Sequence, residues 1–161
     1  MMNDMKKIAW LIGVLAFSAD DCLVCTEGTS SGSASAECFS CGKGEYADQP
    51  EQASPCKSCP KGKANDRSNS DGADAHKACV GCVAGFYADA LGLSTCKRCA
   101  AGKFSTLALQ EDETSCTTCE AGRFTAQPGQ NVCTNCSIGF YLSPTTRGLD
   151  RCLTCSTAMK K

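Results

Sequence analysis

Cysteine is the residue type whose spacing could carry chemistry in this chain. Sixteen of the 161 residues are cysteine, and all sixteen fall into C-x-x-C pairs that recur every 16 to 23 residues. Such pairs can form disulfides, bind zinc as thiolates or act as redox pairs. The pairs are Cys22/Cys25, Cys38/Cys41, Cys56/Cys59, Cys79/Cys82, Cys96/Cys99, Cys116/Cys119, Cys133/Cys136 and Cys152/Cys155. A fixed period of this kind indicates a linear array of repeated units.

The N-terminal segment favours the disulfide chemistry. Lys6 and Lys7 precede an apolar stretch from residue 8 to residue 17 and then small residues, which predicts a secretory signal peptide over residues 1–19. The stretch is shorter than the roughly twenty residues of a membrane span, and no later run approaches that length. We therefore expect a secreted or cell-surface protein whose mature chain, residues 20–161, has no transmembrane helix and forms disulfides in an oxidising compartment. Zinc sites of four thiolates fit the same spacing and are the third-ranked alternative.

A glycine and an aromatic residue recur on the cysteine frame, giving the unit C-x-x-C-x-x-G-x-[FY]. The glycines are Gly28, Gly44, Gly62, Gly85, Gly102, Gly122 and Gly139, with Ala158 in the eighth unit. The aromatic residues are Tyr46, Tyr87, Phe104, Phe124 and Tyr141, and Ser30, Ala64 and Lys160 replace them elsewhere. Glycine permits a positive φ and hence a sharp turn beside the sulfur bridge, which we expect the aromatic ring to cover.

The elements that position the cysteines are predicted to be short hairpins. The second half of each spacer is rich in Gly, Pro, Ser, Asp and Asn, which predicts a turn back toward the next pair. No period of 3.6 residues is sustained after the signal peptide. The predicted fold class is therefore small and disulfide-rich, a linear tandem array of β-hairpin modules with almost no helix, with units that start near residues 22, 38, 56, 79, 96, 116, 133 and 152.

Composition excludes several classes of protein. Only 22 large apolar side chains other than cysteine follow residue 19, too few for the core of a doubly wound sheet, an α/β barrel or a helical bundle. The formal net charge of −1 argues against a nucleic-acid partner. His76 is the only histidine, and we expect it to be solvated in the long spacer between Cys59 and Cys79. We predict no catalytic residues, no cofactor and no metal. Asn135 begins an Asn-Cys-Ser sequon and is a candidate for N-glycosylation.

The frame resembles a known family. C-x-x-C-x-x-G-x-[FY], followed by another cysteine pair about 18 residues later, resembles the ephrin-receptor-like cysteine-rich repeat, and it is also similar to the simplest disulfide module of tumour necrosis factor receptors. The segment CEAGRFTAQPGQNVC from Cys119 to Cys133 is the best match, and the resemblance extends from Cys22 to Cys155. Such repeats serve as stalks, adhesion spacers, receptor ectodomains and surface coats, so the resemblance implies an extracellular, non-catalytic role.

Two pairing schemes compete. The resemblance implies a ladder in which the second cysteine of one pair bonds the first of the next: Cys25–Cys38, Cys41–Cys56, Cys59–Cys79, Cys82–Cys96, Cys99–Cys116, Cys119–Cys133 and Cys136–Cys152. The other scheme crosses neighbouring pairs, first to first and second to second, starting with Cys22–Cys38 and Cys25–Cys41. Because glycine and the aromatic recur in successive units and not in every second one, the sequence favours the ladder.

The ladder leaves Cys22 and Cys155 over, which suggests intermolecular bonding. A head-to-tail filament explains both, and so does a longer protein of which this chain is a piece, which is slightly favoured. The predicted function is a structural, adhesion or surface-coat repeat protein whose partners are extracellular proteins or further copies of itself. The alternative is a receptor-like or decoy ectodomain that binds a protein ligand through the loops between cysteines.

Overall fold

The computed structural model describes residues 24–31, 37–52, 55–67, 76–142, 148 and 150–155. The predicted signal peptide, Cys22, Ala158 and Lys160 lie outside these ranges. The described chain forms two-residue strands and a short 3-10 helix, Glu113–Ser115. The strands are β1 (Val24–Cys25), β2 (Thr29–Ser30), β3 (Phe39–Ser40), β4 (Glu45–Tyr46), β5 (Glu51–Gln52), β6 (Lys57–Ser58), β7 (Lys63–Ala64), β8 (Val80–Gly81), β9 (Phe86–Tyr87), β10 (Lys97–Arg98), β11 (Lys103–Phe104), β12 (Thr117–Thr118), β13 (Arg123–Phe124), β14 (Thr134–Asn135), β15 (Phe140–Tyr141) and β16 (Leu153–Thr154). The predicted array of hairpins is confirmed.

Each hairpin pairs the two residues after a frame glycine with the two residues between the next pair of cysteines. The pairs are β2·β3, β4·β6, β7·β8, β9·β10, β11·β12, β13·β14 and β15·β16, all antiparallel. The second cysteine of the later pair donates its N–H to the carbonyl of the glycine, as Cys59 does to Gly44 at 2.8 Å. The remaining strand pair, β1·β5, joins the segment before the first hairpin to the loop of the second hairpin. The residues between the cysteines are therefore strand residues.

The frame glycine turns the chain between its cysteine and its strand. Gly44 has a φ of 78°, and the residue after it, Glu45, donates its N–H to the Gly42 carbonyl at 3.1 Å. The same turn recurs at all seven frame glycines, with φ between 76° and 90°. A positive φ at the third residue of a four-residue turn is the position that favours glycine. This explains why the frame requires glycine here.

Seven disulfides join the hairpins in the order of the ladder. They are Cys25–Cys38, Cys41–Cys56, Cys59–Cys79, Cys82–Cys96, Cys99–Cys116, Cys119–Cys133 and Cys136–Cys152. We call the stretches closed by these bonds modules 1 to 7, in this order. The core consists largely of sulfur, because the opening cysteines of modules 1 to 6 are almost fully buried.

Backbone hydrogen bonds join each module to the next. The frame glycine donates its N–H to the carbonyl of the residue that stands three places after the glycine of the following module. Six such bonds of 2.7 to 3.0 Å connect modules 1 to 7: Gly28 to Ala47, Gly44 to Asn65, Gly62 to Ala88, Gly85 to Ser105, Gly102 to Thr125 and Gly122 to Leu142. The modules are therefore linked by hydrogen bonds between turns as well as by the covalent chain.

Modules two places apart also touch. In modules 4 to 7, the turn before the closing cysteine, which we call the return turn, contains a residue with positive φ: Gly92, Leu109, Gly129 and Gly148, in this order. Its carbonyl lies against the frame glycine two modules earlier, so that a Cβ on Gly44 would come within 2.0 Å of the Gly92 oxygen. The corresponding distances are 2.7 Å for Gly62, 2.4 Å for Gly85 and 1.8 Å for Gly102. The frame glycine therefore meets a steric requirement as well as a conformational one.

The return turn also matches the strand beneath it in volume. Glycine return turns lie over Ser58, Arg98 and Thr118, whereas Leu109 lies over Gly81, where a Cβ would stand 2.4 Å from the Leu109 Cδ2. Leu109 adopts a φ of 60°, an unfavourable conformation for a residue with a side chain. Leu109 and Gly81 thus form a complementary pair.

This pairing predicts coupled mutations. We expect Gly81→Ser to destabilise the chain by about 1 to 2 kcal/mol through overpacking against Leu109. Adding Leu109→Gly removes the obstructing side chain, and glycine adopts the positive φ at this position without strain. The double variant should therefore recover most of the lost stability. Chemical denaturation of both single variants and the double variant measures the coupling energy. Additive effects would contradict the pairing.

Candidate interaction surface

Most cysteines of the frame are structural. Fourteen lie in the seven disulfides, and none of the crossed bonds occurs among the described residues. A cysteine in a disulfide has no thiolate to offer zinc, and within the described ranges no group of three or more His, Cys, Asp or Glu side chains could hold a metal ion. Cys155 is free and exposed. The other predicted end cysteine, Cys22, lies outside the described residues.

One aromatic residue of the frame packs between modules. Tyr87 of module 4 is 8% exposed and forms a buried cluster with Cys99 and Cys116, the bridge of module 5. The ring of Tyr87 therefore lies against the bridge of the following module. Tyr46, Phe104, Phe124 and Tyr141 are half-buried. The ring of Tyr87 thus helps to hold two modules together.

His76 is buried, contrary to the expectation of a solvated side chain. It is 0% exposed and lies 3.4 Å from the Asn65 amide nitrogen, measured to Nδ1. Its carbonyl accepts the Ala47 N–H at 2.9 Å, and the Asn65 side chain donates to the Glu45 carbonyl at 2.9 Å. His76 and Asn65 therefore fasten module 3 to module 2, which gives the unusually long third spacer a packing role.

Sequence reasoning missed the column of residues that accepts the glycine hydrogen bonds between modules. These residues stand three places after each frame glycine, and most of them are buried. From Ala47 to Leu142 the column contains no charged residue, which was a signal available in the sequence. In module 6 the Thr125 side chain adds a second acceptor for the Gly102 N–H at 2.7 Å. This column continues the interface from module to module.

Charged groups on the hairpin surface form local ion pairs. Lys97 Nζ donates to Asp89 Oδ2 at 2.8 Å, and this hydrogen bond lowers the pKa of Asp89 and raises that of Lys97. An equivalent bond from Lys57 lowers the pKa of Asp48 in module 2. These pairs are exposed, so they contribute little to stability and are screened by salt. They hold an aspartate four residues after the frame glycine against a lysine after the closing cysteine.

A groove with apolar walls lies between modules 3 and 4. It has a volume of about 490 Å³, and its lining includes Val80, Val83 and Phe86, with Asp66 and Arg98 among the polar residues. Val80 and Val83 are 64% and 63% exposed. The Arg98 guanidinium lies 5.9 Å from the centroid of the Phe86 ring, within range of a cation–π interaction. Exposed apolar side chains gathered in a concave surface are typical of binding sites.

A second exposed apolar surface lies at the C-terminal end of the array. Ile138 is 104% exposed and Phe140 is 45% exposed, on either side of the frame glycine Gly139. Asn135, the sequon residue, is exposed in β14, so its side chain is accessible for modification. The described residues therefore expose apolar side chains both at the groove between modules 3 and 4 and at the C-terminal end.

No family model matches this chain, and no curated protein matches it. Among the described residues, no helix has the length and apolar character needed to cross a membrane. The architecture alone therefore defines the class of protein. A tandem array of small hairpins joined by seven sequential disulfides fits an extracellular structural or binding repeat protein.

Proposed function

We propose that this chain is a secreted, non-catalytic repeat protein that acts as a spacer, adhesion or surface-coat element and joins end to end through Cys22 and Cys155. The observation that carries the proposal is the unbroken linkage of modules 1 to 7 by disulfides and turn-to-turn hydrogen bonds. In a chain built in this way, contacts between neighbouring modules fix their arrangement, so no large core is needed. The resemblance of the frame to ephrin-receptor-like repeats supports an extracellular role, and we propose membership of that family on the frame residues.

The end cysteines supply the joining chemistry. Cys155 is exposed and free, so its thiol is accessible to a second chain. The C-x-x-C frame begins with Cys22, which the ladder leaves without a partner in the same chain. In an oxidising secretory compartment, an oxidised thiol–disulfide oxidoreductase accepts the two electrons and two protons released when Cys155 and the Cys22 of another chain form a disulfide. Repetition of this bond is a heterologous contact that extends into an open filament.

Intact mass measurement of the secreted protein tests this proposal. The protein is denatured without reductant and treated with a thiol-alkylating reagent, which counts free cysteines. We expect covalent multimers that collapse to monomers on reduction, and Cys155→Ser should leave only species that cannot extend into a filament. A monomer in which Cys22 and Cys155 are both paired within one chain would refute end-to-end joining. Alkylation of all sixteen cysteines would overturn the disulfide assignment and restore the zinc array.

The groove between modules 3 and 4 supports a second candidate, a receptor-like or decoy ectodomain that binds a protein ligand. Val80 and Val83 expose apolar surface that binding would cover. In a pull-down from extracellular fluid, we expect one stoichiometric partner to be retained by the wild type and lost with Val83→Asp. Leu107→Asp is the matched control, because Leu107 is equally exposed in module 5 and does not line the groove. Equal retention by both variants would argue against the groove.

A further inference from the structure

We propose that the C-terminal end of the array, formed by Ile138, Gly139 and Phe140, is a docking surface for module 1 of a second copy of this chain. This inference rests on the proposed end-to-end joining and supplies a non-covalent interface for it. The surface corresponds to the frame-glycine side of the interface between modules two places apart inside the chain. Its expected occupant follows from the order in which the modules contribute to that interface.

Inside the array, each interface of this kind has two fixed sides. The earlier module contributes its frame glycine, and the later module contributes its return turn. In the interface between modules 4 and 6, the Gly129 carbonyl lies against Gly85, and a Cβ on Gly129 would stand 3.1 Å from the Phe86 ring. Phe86 is accordingly only half-exposed. The return turn thus covers both the glycine and the aromatic ring next to it.

Module 7 shows the uncovered form of the same surface. Phe140 occupies in module 7 the position of Phe86 in module 4, directly after the frame glycine. A Cβ on Gly139 would meet no atom of the described residues within 4 Å, whereas the four glycines from Gly44 to Gly102 each face a carbonyl within 2.7 Å. Phe140 is 45% exposed, and the neighbouring Ile138 is fully exposed. Gly139 and Phe140 therefore present the side of the interface that an earlier module contributes, but no return turn of the described residues lies against them.

The register of end-to-end joining brings the matching module to this surface. A bond from Cys155 of one copy to Cys22 of the next closes an eighth module, and Cys25 then opens module 1 of the second copy in the ordinary C-x-x-C spacing. Module 1 of the second copy therefore follows module 7 by two places. This is the separation at which return turns meet frame glycines within the chain. The covalent frame and the docking surface point to the same partner.

Sedimentation velocity of the full secreted chain carrying Cys22→Ser and Cys155→Ser tests the docking surface without the covalent bond. We expect reversible, concentration-dependent self-association of this double variant. Adding Phe140→Asp places a charge in the apolar contact and should weaken association by about tenfold or more. Leu91→Asp is the matched control, because Leu91 is an exposed leucine of module 4 and lies outside module 7. A reductant-free mass equal to that of seven disulfides verifies that each variant keeps its seven bonds.

The outcomes separate this inference from the proposed function. A double variant that stays monomeric at every concentration, while the wild type forms covalent multimers, would overturn the docking surface and leave end-to-end joining intact. Self-association that Phe140→Asp and Leu91→Asp weaken equally would also overturn it. Association of the double variant that only Phe140→Asp abolishes would support the docking surface, even if the wild type showed no covalent multimers.

Discussion

Replacing Gly44 with alanine should destabilise the array by about 3 to 4 kcal/mol. The residue has a φ of 78°, which costs an L-residue with a Cβ about 1 to 2 kcal/mol. The new Cβ would also stand 2.0 Å from the Gly92 carbonyl oxygen, a distance at which modules 2 and 4 must move apart. Overpacking of this kind destabilises the folded state by a further amount of about 1 to 3 kcal/mol. Chemical denaturation of the oxidised protein, followed by circular dichroism, measures the sum.

Gly122→Ala is the matched control for this prediction. Its φ of 79° imposes the same conformational cost, but a Cβ there would meet no atom of the described residues within 4 Å. We expect a loss of about 1 kcal/mol, because alanine also restricts the unfolded chain and recovers part of the strain. The difference between the two variants isolates the contact between modules two places apart. Equal losses would mean that glycine is required for its φ alone.

Hydrogen exchange locates the damage. In wild-type protein the Gly92 N–H donates to the Cys59 carbonyl at 2.8 Å, so this amide reports directly on the return turn of module 4. Gly44→Ala should raise the exchange rate of this amide, while the Gly129 amide, which donates to Cys99, should change little. A uniform increase along the chain would indicate general unfolding and would contradict a local clash.

The hairpin itself was predictable from the sequence because its causes are local. The frame glycine lies three residues after a cysteine, and its turn and strand are set within five residues of that cysteine. The contacts between modules were not predictable, because their partners are far apart in sequence and irregular in spacing. Gly92 and Gly129 stand four residues before their closing cysteines, whereas Leu109 stands seven before Cys116. The common role of these three residues becomes visible only when the return turns are placed on earlier modules.

His76 illustrates the same limit. A single histidine in a long polar spacer has the sequence environment of a solvated loop residue. Its burial depends on module 2, which provides the Ala47 N–H for its backbone and positions Glu45 to bind Asn65. The prediction failed because sequence reasoning treated each spacer as a separate loop, while in the structure one spacer packs on the preceding module. The candidate interaction surfaces lie at such junctions as well, and for the same reason composition and spacing could not place them.

Removal of the Cys99–Cys116 bond should cost about 5 kcal/mol and divide the unfolding of the array into two transitions. The bond closes a loop with a sequence separation of 17, which corresponds to about 3 kcal/mol of chain entropy. Both sulfurs are buried with Tyr87, so Cys99→Ala with Cys116→Ala also leaves a cavity at the junction of modules 4 and 5. In an array whose units contact mainly their near neighbours, a weakened interior unit separates the two sides.

The Cys136–Cys152 bond provides a control with nearly the same loop. Its sequence separation is 16, so the entropic contribution is again about 3 kcal/mol. Its cysteines are half-buried, and module 7 hydrogen-bonds to module 6 through the Gly122 N–H and the Leu142 carbonyl. Cys136→Ala with Cys152→Ala should therefore fray one end and leave a single main transition. Guanidinium denaturation of both double variants, with intact masses to verify the six remaining bonds, distinguishes the two cases.

The backbone of Cys99 explains why the interior bond matters more than its loop length. Its N–H donates to the Gly85 carbonyl of module 4, and its own carbonyl accepts the Gly129 N–H of module 6, at 2.9 and 2.8 Å. One residue thus connects three consecutive modules, and the disulfide holds that residue in position. If the two double variants lost equal stability in single transitions, the seven bonds would act as independent loop closures, and the contacts between modules would carry little of the cooperativity.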